Sequence, residues 1–215
     1  MSRSSHYRRH HNGSDPDGDM VRGLKCGEPE SFRLLLRRYQ NPVYGYVCRL
    51  IDDPFEAEDV TQDVFVKVFR KIEGFREHCA FKTWLYRIAA NESSNRRRWF
   101  SRHRARMVTE RADDVSRDAL AERMPDPSRG PFEQIERLEH RDILNRALSS
   151  LYPRYREAVV LRDVCGFTYN EIAETLEVSL GTVKSRILRG REGLKRYLLQ
   201  SAPSVVPHDV RWQTE

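Results

Sequence analysis

The sequence has few of the features that mark secreted, metal-binding or membrane proteins. Its 4 cysteines are scattered without a C-x-x-C pair, so neither a disulfide framework nor a zinc site is indicated and free thiols are expected. No apolar run approaches the length of a membrane span, and the N-terminus lacks the apolar segment of a secretion signal. We therefore expect a cytoplasmic chain with no direct membrane insertion, no bound metal and no cofactor.

Strand-like alternation of apolar and polar residues is also missing. Apolar residues recur instead at helical spacing in two stretches, and the segment between them loses this periodicity. That segment is long for a loop within one compact domain. We therefore predict an all-α fold in which a flexible linker joins two small helical domains. The predicted parts are an N-terminal tail (1–19), a first domain (20–100), the linker (101–131), a second domain (132–200) and a C-terminal tail (201–215).

The formal net charge is mildly positive, at +6. The excess of basic residues clusters in two places, from Arg96 to Met107 and from Lys184 to Arg196. Two separate basic clusters indicate two separate contacts with a polyanion.

The segment from Thr168 to Leu198 has the pattern of a helix-turn-helix. Thr168 and Glu171 have the spacing of a capping box, and Ser179 offers an N-cap for a second helix that begins near Leu180. Basic residues on a helix often form only a solvated face. Here they follow two caps and a tight turn, and this agreement predicts binding in a DNA groove.

The second helix of this pair has an apolar inner side and a basic outer side. Val183 and Ile187 lie four residues apart and are expected to face inward. Glu177 stands in the turn, where many helix-turn-helix sequences have Gly. A left-handed conformation at Glu177 would cost roughly 1 kcal/mol.

The clearest helix of the first domain has several start signals. Asp53 can be its N-cap, Pro54 fits the first helical position, and Glu56 completes a capping box. This helix is expected to run to about Ile72, with an apolar stripe on one side and an acidic and polar edge on another. Pro42 is expected to break or kink the helix that precedes it. A further helix, from about Phe81 to Phe100, begins with aromatic residues and ends in arginines.

Three strings of the sequence carry a family resemblance: AEDVTQDVFVKVFRKI, FREHCAFKTWLYRIAANESSNRRR and LYPRYREAVVLRDVCGFTYNEIAETLEVSLGTVKSRILRGRE. In this order they resemble the extracytoplasmic-function (ECF, group 4) class of bacterial sigma factors in the sigma-70 family. That class carries only the second and fourth conserved sigma domains. The resemblance covers roughly residues 23–98 and 132–199 and implies a sigma domain 2 helical bundle followed by a sigma domain 4 helix-turn-helix. It implies a transcription initiation factor that binds core RNA polymerase, recognises two promoter elements and helps to melt DNA.

The resemblance also implies protein partners. The helix that starts at Asp53 would dock on the clamp helices of the largest polymerase subunit, and the flap of the second largest subunit would be a further contact. An acidic edge beside apolar anchors suits such an interface, although both Phe side chains could instead belong to the core. Members of the family are commonly held inactive by an anti-sigma factor, which is often membrane-bound. The implied polymerase-binding residues are Asp59, Gln62, Asp63, Phe65 and Phe69.

The next segment would capture the non-template strand of the minus-ten element. Its aromatic rings can stack on unpaired bases, and the amide of Asn91 can read a base edge. The loop from Arg76 to Ala80 would hold a flipped base, but its REHCA composition departs from the Gly-, Asp- or Ser-containing loops of the family and leaves the preferred base open. A core position is the alternative for Trp84. The implied residues are Phe75, Arg76, His78, Trp84, Tyr86, Arg87, Asn91, Arg96, Arg97 and Arg98, whose arginines from Arg87 onward would hold phosphates.

The helix from Leu180 would enter the major groove of the minus-thirty-five element. Lys or Arg there prefers the O6 and N7 atoms of guanine, and Leu can contact a thymine methyl group. The residues implied to face base edges are Lys184, Ser185, Leu188 and Arg189, and those implied to hold the backbone are Thr168, Thr182, Arg186 and Arg191.

Two other functions compete with this interpretation. A dimeric repressor or activator would use the same helix-turn-helix, with the first domain serving dimerisation or effector binding. A nucleic-acid-processing enzyme finds little support, because no P-loop, no H-E-x-x-H motif and no carboxylates clustered around a nucleophile are visible, and no catalytic residue is expected.

Overall fold

The computed structural model describes residues 15–104 and 142–201. Every regular element in these two ranges is helical and none is a strand, which confirms the predicted all-α class. The first group of helices is α1 (Gly18–Lys25), α2 (Pro29–Cys48), α3 (Pro54–Lys71), a 3₁₀ turn (Ile72–Gly74) and α4 (Phe81–Arg104). The second group is α5 (described over 142–149), α6 (Pro153–Val159), a π-helical turn (Val160–Val164), α7 (Tyr169–Leu176) and α8 (Leu180–Ser201).

Two helix ends differ from the expected domain limits. Helix α1 begins at Gly18, inside the predicted N-terminal tail, and α4 continues to Arg104 rather than ending near Phe100. The remainder of the predicted tails and linker, together with residues 132–141, lies almost entirely outside the described residues.

Asp53 caps α3 as predicted. Its side chain accepts hydrogen bonds from the backbone N–H groups of Phe55 (2.9 Å) and Glu56 (3.3 Å), and Pro54 is the first helical residue. The Glu56 carboxylate does not return to the start of the helix as a capping box requires, because it is bonded to Arg96 of α4. A guanidinium is a stronger donor to a carboxylate than a neutral backbone N–H.

The helix-turn-helix forms where the sequence predicts it. Thr168 and Glu171 complete the capping box, with 3.3 Å from the Glu171 N–H to the Thr168 hydroxyl and 2.7 Å from the Thr168 N–H to the Glu171 carboxylate. Ser179 caps α8 by accepting a hydrogen bond from the N–H of Thr182 (3.2 Å). Glu177 has φ 54° and ψ 45°, which confirms the left-handed turn. The turn therefore carries the local strain that Gly would avoid.

Pro42 does not break the second helix, so of the break or kink expected from the sequence the break is wrong. Helix α2 runs through it from Pro29 to Cys48. Leu35 before the proline and Val43 and Val47 after it are all fully buried. Burial of this shared apolar side stabilises both halves of the helix and outweighs the hydrogen bond that a proline cannot donate.

One continuous cluster of buried apolar residues runs through both groups of helices. In the first group the predicted stripe of α3 is buried and packs against α2 and α4, with Val60, Val64 and Val68 each at most 1% exposed. In the second group α8 packs on α6, and its inner side is Val183, Ile187, Gly190 and Leu194. Gly190 lies so close to α6 that a Cβ atom there would come within 3.2 Å of the Tyr155 carbonyl oxygen.

The two groups also pack against each other, chiefly through α4 and α7. The Tyr86 ring lies 4.9 Å from the Phe167 ring, centroid to centroid, and the Lys82 ammonium lies 4.4 Å from the Phe167 centroid. Arg87 donates a hydrogen bond from Nε to the carbonyl oxygen of Glu174 (3.1 Å). We call this contact the interdomain face.

A second part of the interdomain face contains buried charge. Arg156 of α6 donates to the Asp52 carboxylate of the first group (3.2 Å), and Ser149 donates to the same carboxylate (2.7 Å). The neighbouring Glu157 is 8% exposed, and its carboxylate lies near Arg97 of the first group and Arg186 of α8. Burial raises the pKa of Glu157 despite these two cations, because the charged carboxylate loses its water.

The close approach at Gly190 gives the first prediction. Gly190→Ala should lower the free energy of unfolding by about 1–2 kcal/mol, since the new methyl group collides with Val159 and the Tyr155 backbone while regaining only some helix propensity. Gly181→Ala is the matched control, because nothing lies within 4 Å of a Cβ atom at that position of α8. Urea unfolding of both variants measures the difference, and equal midpoints would contradict the packing argument.

The raised pKa of Glu157 gives a second prediction, which concerns how docking of the two groups of helices depends on pH. The docked state binds the Glu157 proton more tightly than a separated or unfolded state does, so docking should strengthen as pH falls towards the ordinary value of 4.5 and weaken as pH rises through the raised pKa. Glu157→Gln should therefore dock more firmly at pH 7.5 and lose this pH dependence. Fluorescence energy transfer between dyes on α2 and α7 measures docking, with the exposed Glu192→Gln as control. An unchanged pH profile in Glu157→Gln would refute the assignment.

Candidate functional site

The outer side of α8 is basic and accessible. Because Val183 and Ile187 are buried, the positions one and two residues after each of them are turned outward. Leu188 is 46% exposed, so its side chain is accessible on this side of the helix. The four residues expected to face base edges, Lys184, Ser185, Leu188 and Arg189, are all exposed on this side.

The residues expected to hold the DNA backbone already have partners within the protein. The Thr168 hydroxyl belongs to the capping box, and the Thr182 hydroxyl lies 2.8 Å from that of Ser179. Arg191 is paired with Asp163, at 2.6 Å from Nη2 to Oδ1. Arg186 is half-buried near Glu157. Each arginine keeps further donors, so these contacts orient the side chains without using them up.

An aromatic and basic cluster at the start of α6 was missed by the sequence reasoning. Tyr155 accepts a hydrogen bond from Nη1 of Arg189 (3.2 Å), and this bond lowers the pKa of Tyr155. The Arg154 guanidinium lies 5.0 Å from the Tyr155 ring centroid and 6.0 Å from that of Tyr152. The alternation of Tyr and Arg in the string YPRYR was the available signal.

The outer side of α3 forms a ridge of mixed chemistry. Its members are spaced three or four residues apart, opposite the buried valines. Phe55 is 69% exposed and Phe69 61% exposed, and the polar members between them are exposed as well. We define the α3 ridge as Phe55, Asp59, Gln62, Val66 and Phe69. The sequence reasoning missed Phe55 and Val66, although the same spacing could have indicated them.

Two of the expected polymerase-binding residues lie away from the α3 ridge. Phe65 is only 6% exposed, so the core alternative is correct for it but not for Phe69. Asp63 faces α4, where its carboxylate lies 3.6 Å from Arg96. Asp63 and Arg96 were expected to serve different partners, and helix packing pairs them with each other.

The expected base-stacking aromatics pack mainly on one another. Phe75 is 5% exposed and lies 5.0 Å from Trp84 and 5.9 Å from Phe81 between ring centroids. Phe75 is therefore a core residue, and half-buried Trp84 keeps only part of its ring accessible. The alternative of a core position holds in large part for Trp84.

The loop after Phe75 keeps its polar side chains on the surface. Arg76 and His78 are exposed, and Glu77 between them has φ 55°, a left-handed conformation that the sequence reasoning did not anticipate. Lys25 of α1 forms an ion pair with Glu77 at 3.0 Å. This pair links the loop to α1 and leaves the flanking side chains accessible.

The remaining expected minus-ten residues divide between surface and interdomain face. Asn91 and Arg98 are exposed on α4, whereas Arg97 is half-buried. Tyr86 is 2% exposed beneath Phe167, and Arg87 is bonded to α7. In this docked arrangement the second group of helices covers Tyr86 and Arg87.

The described residues show no site for a metal and no membrane span. No group of three or more His, Cys, Asp or Glu side chains in residues 15–104 and 142–201 is arranged to hold a metal ion. The cysteines are free, and burial raises the pKa of Cys165 to about 11, so this thiol is protonated and unreactive at neutral pH. Among the helices described, none is both long and apolar enough to cross a bilayer.

Comparison with known proteins agrees with these two groups of helices. The family model "Sigma-70 region 2" matches residues 35–103, and "Sigma-70, region 4" matches residues 141–194. The chain is similar to the RNA polymerase sigma-H factor of Pseudomonas aeruginosa, with 33% identity over 189 residues that cover 86% of this chain and 94% of the relative. It is also similar to the ECF RNA polymerase sigma-E factor of Escherichia coli K12, with 32% identity over 185 residues, or 83% of this chain and 92% of the relative.

A solved structure supports the same relationship. The sigma factor RpoE of Bartonella quintana, crystallised with the anti-sigma factor NepR, aligns with a TM-score of 0.62 and 25% identity over 80% of this chain and 99% of that one. The two matched regions coincide with the two helical groups, and the relatives are matched over nearly their whole length. The chain therefore belongs to the sigma-70 family of RNA polymerase sigma factors, which are transcription initiation factors and not enzymes by themselves.

Proposed function

We propose that this protein is a group 4 ECF sigma factor that acts in the cytoplasm. It binds core RNA polymerase and directs initiation at promoters with particular minus-thirty-five and minus-ten elements. The observation that carries this proposal is the presence of two exposed surfaces of different chemistry, the α3 ridge and the outer side of α8, on separate helical domains. We place sigma domain 2 at residues 20–100 and sigma domain 4 at residues 132–200.

The outer side of α8 is proposed to read the minus-thirty-five element in the major groove. Lys184 and Arg189 can donate to guanine, and Leu188 can contact a thymine methyl group. Leu188 is exposed, and this accessibility supports its proposed contact with thymine. Thr168, Thr182, Arg186 and Arg191 flank this side and are proposed to contact phosphates. The flap of the second largest polymerase subunit is the proposed protein contact of this domain.

The α3 ridge is proposed to bind the clamp helices of the largest polymerase subunit. Phe55 and Phe69 offer exposed apolar anchors, with Asp59 and Gln62 between them. Apolar anchors bordered by polar and charged groups give both desolvation and electrostatic complementarity. Asp63 is proposed to contribute at the border of this surface rather than on it, because it is paired with Arg96.

The surface of α4 and of the loop before it is proposed to hold the melted minus-ten strand. Asn91, Trp84 and the loop residues Arg76 and His78 are at least partly accessible. Trp84 rather than Phe75 is proposed to stack on a base, because Phe75 is in the core. The arginines Arg96, Arg97 and Arg98 are proposed to lie along the phosphates, with Arg98 the most accessible of them.

Promoter binding is proposed to require separation of the interdomain face. In the docked arrangement Tyr86 and Arg87 contact α7 and are covered. Binding of the α3 ridge to polymerase would leave domain 4 free to reach the upstream element. An anti-sigma factor that covers the α3 ridge or stabilises the docked form would inhibit the protein, and the NepR complex of a related sigma factor supports such a partner.

The α3 ridge gives a prediction on polymerase affinity. Asp59→Ala combined with Gln62→Ala should weaken binding to core polymerase about tenfold or more, since two polar contacts at the centre of the ridge are lost. Pull-down with immobilised core enzyme measures the affinity, and Asp19→Ala on α1 is an exposed acidic control. Wild-type affinity in the double variant would count against the clamp assignment.

Asn91 gives a prediction on melting. Asn91→Ala should slow open-complex formation on a cognate promoter without changing polymerase affinity, because a base-edge contact to the melted strand is removed. Permanganate footprinting of unpaired thymines measures melting. Gln40→Ala, which removes an exposed amide on α2, is the control. A footprint like that of wild type would refute the role of Asn91.

Run-off transcription with core polymerase and a random promoter library tests the function as a whole. A sigma factor should select promoters that share two elements at a fixed spacing. A dimeric repressor or activator would instead bind duplex DNA alone, fail to co-purify with core polymerase and select no transcripts.

A further inference from the structure

Tyr155 is held at a fixed place beside the middle of α8. It lies near the start of α6, which passes close to Gly190 of α8. A Cβ atom at position 190 would be 3.5 Å from the Tyr155 Cβ atom. Arg189 precedes this glycine in the chain and projects to the outer side of α8. The glycine contact therefore sets how near the Tyr155 hydroxyl comes to the Arg189 guanidinium.

The Tyr155 hydroxyl accepts one hydrogen bond from Arg189, at 3.2 Å from Nη1. A guanidinium has five N–H donors, so this bond leaves the pair of donors that a bidentate contact with guanine needs. An exposed Arg without a partner samples many rotamers. Restricting the side chain to one rotamer before binding reduces the conformational entropy lost on contact with DNA.

The other neighbours of Tyr155 keep its ring in place. The Arg154 guanidinium lies 5.0 Å from the ring centroid, and the ring of Tyr152 lies 6.1 Å away in an edge-on arrangement. Arg154 also makes a lesser hydrogen bond to the Tyr155 hydroxyl, but the two ring contacts do not depend on that hydroxyl. Removal of the hydroxyl alone should therefore leave the position of the ring unchanged.

We propose that Tyr155 is a positioning residue that determines specificity for the upstream promoter element by orienting Arg189 towards one base pair. This role rests on the proposed function of the outer side of α8. Tyr155 need not touch a base itself, because its effect on base preference is transmitted through the Arg189 hydrogen bond.

The test compares Tyr155→Phe with Tyr152→Phe. Tyr152 is an exposed tyrosine on the same turn whose ring also contacts Arg154, so it controls for loss of a hydroxyl in this cluster. Holoenzymes of core polymerase with each variant are assayed by transcription from every single-base substitution of an upstream element that the wild-type protein selects from a random library. Arg189→Ala first identifies the base pair that depends on Arg189.

Tyr155→Phe should reduce discrimination at that base pair about two- to tenfold, the effect of one hydrogen bond, and leave the other positions unchanged. Tyr152→Phe should leave discrimination unchanged at every position. In an Arg189→Ala background, Tyr155→Phe should have no further effect, because the residue through which it acts is gone.

Three results would overturn the proposal: unchanged discrimination in Tyr155→Phe, an equal loss on every sequence, or an equal loss in the Arg189→Ala background. An equal loss on every sequence would identify Tyr155 as a phosphate contact. Failure of the underlying function looks different. If wild-type holoenzyme selects no promoter, or if Arg189→Ala changes no base preference, then base reading by α8 fails and the role of Tyr155 fails with it.

Discussion

Both candidate surfaces depend on the burial of the opposite side of the same helix. Val60, Val64 and Val68 fix the rotation of α3, and Val183 and Ile187 fix that of α8. With the inner side buried, a helix has no freedom to choose which residues face outward. The α3 ridge and the outer side of α8 are thus consequences of core packing, and the exposed Phe and Leu residues on them are the exceptions that core packing does not explain.

The interdomain face adds a second constraint that acts on the same helices. It combines apolar contact, such as Tyr86 against Phe167, with the buried charges of Arg156 and Glu157. Burying these two charged groups costs desolvation that their partners only partly offset. A contact of this kind specifies one arrangement of the domains without great strength, which is consistent with the proposed separation of the two domains on promoter binding.

Most short-range sequence signals were reliable, although the Glu56 carboxylate bonds Arg96 instead of completing its capping box. The Asp53 cap, the Thr168 capping box and the left-handed Glu177 all lie within a few residues of the groups that they bond or replace. Of the break or kink expected at Pro42, the break was wrong because burial across the whole of α2 outweighs one missing hydrogen bond. The sequence left core and surface open for Phe65 and gave no sign of the pairing of Asp63 with Arg96, since each depends on how α3 lies against α4.

The sequence by itself determined the all-α class, the two groups of helices, the helix-turn-helix and the family. These follow from periodicity, caps and turn residues, which act over a few positions of the chain. Only the tertiary structure decided which aromatic rings are core, which arginines are paired, and that Tyr155 reaches Arg189, thirty-four positions away. Such pairs depend on how closely two helices approach, and that distance is set by side-chain volume at sites such as Gly190, remote in sequence from α6.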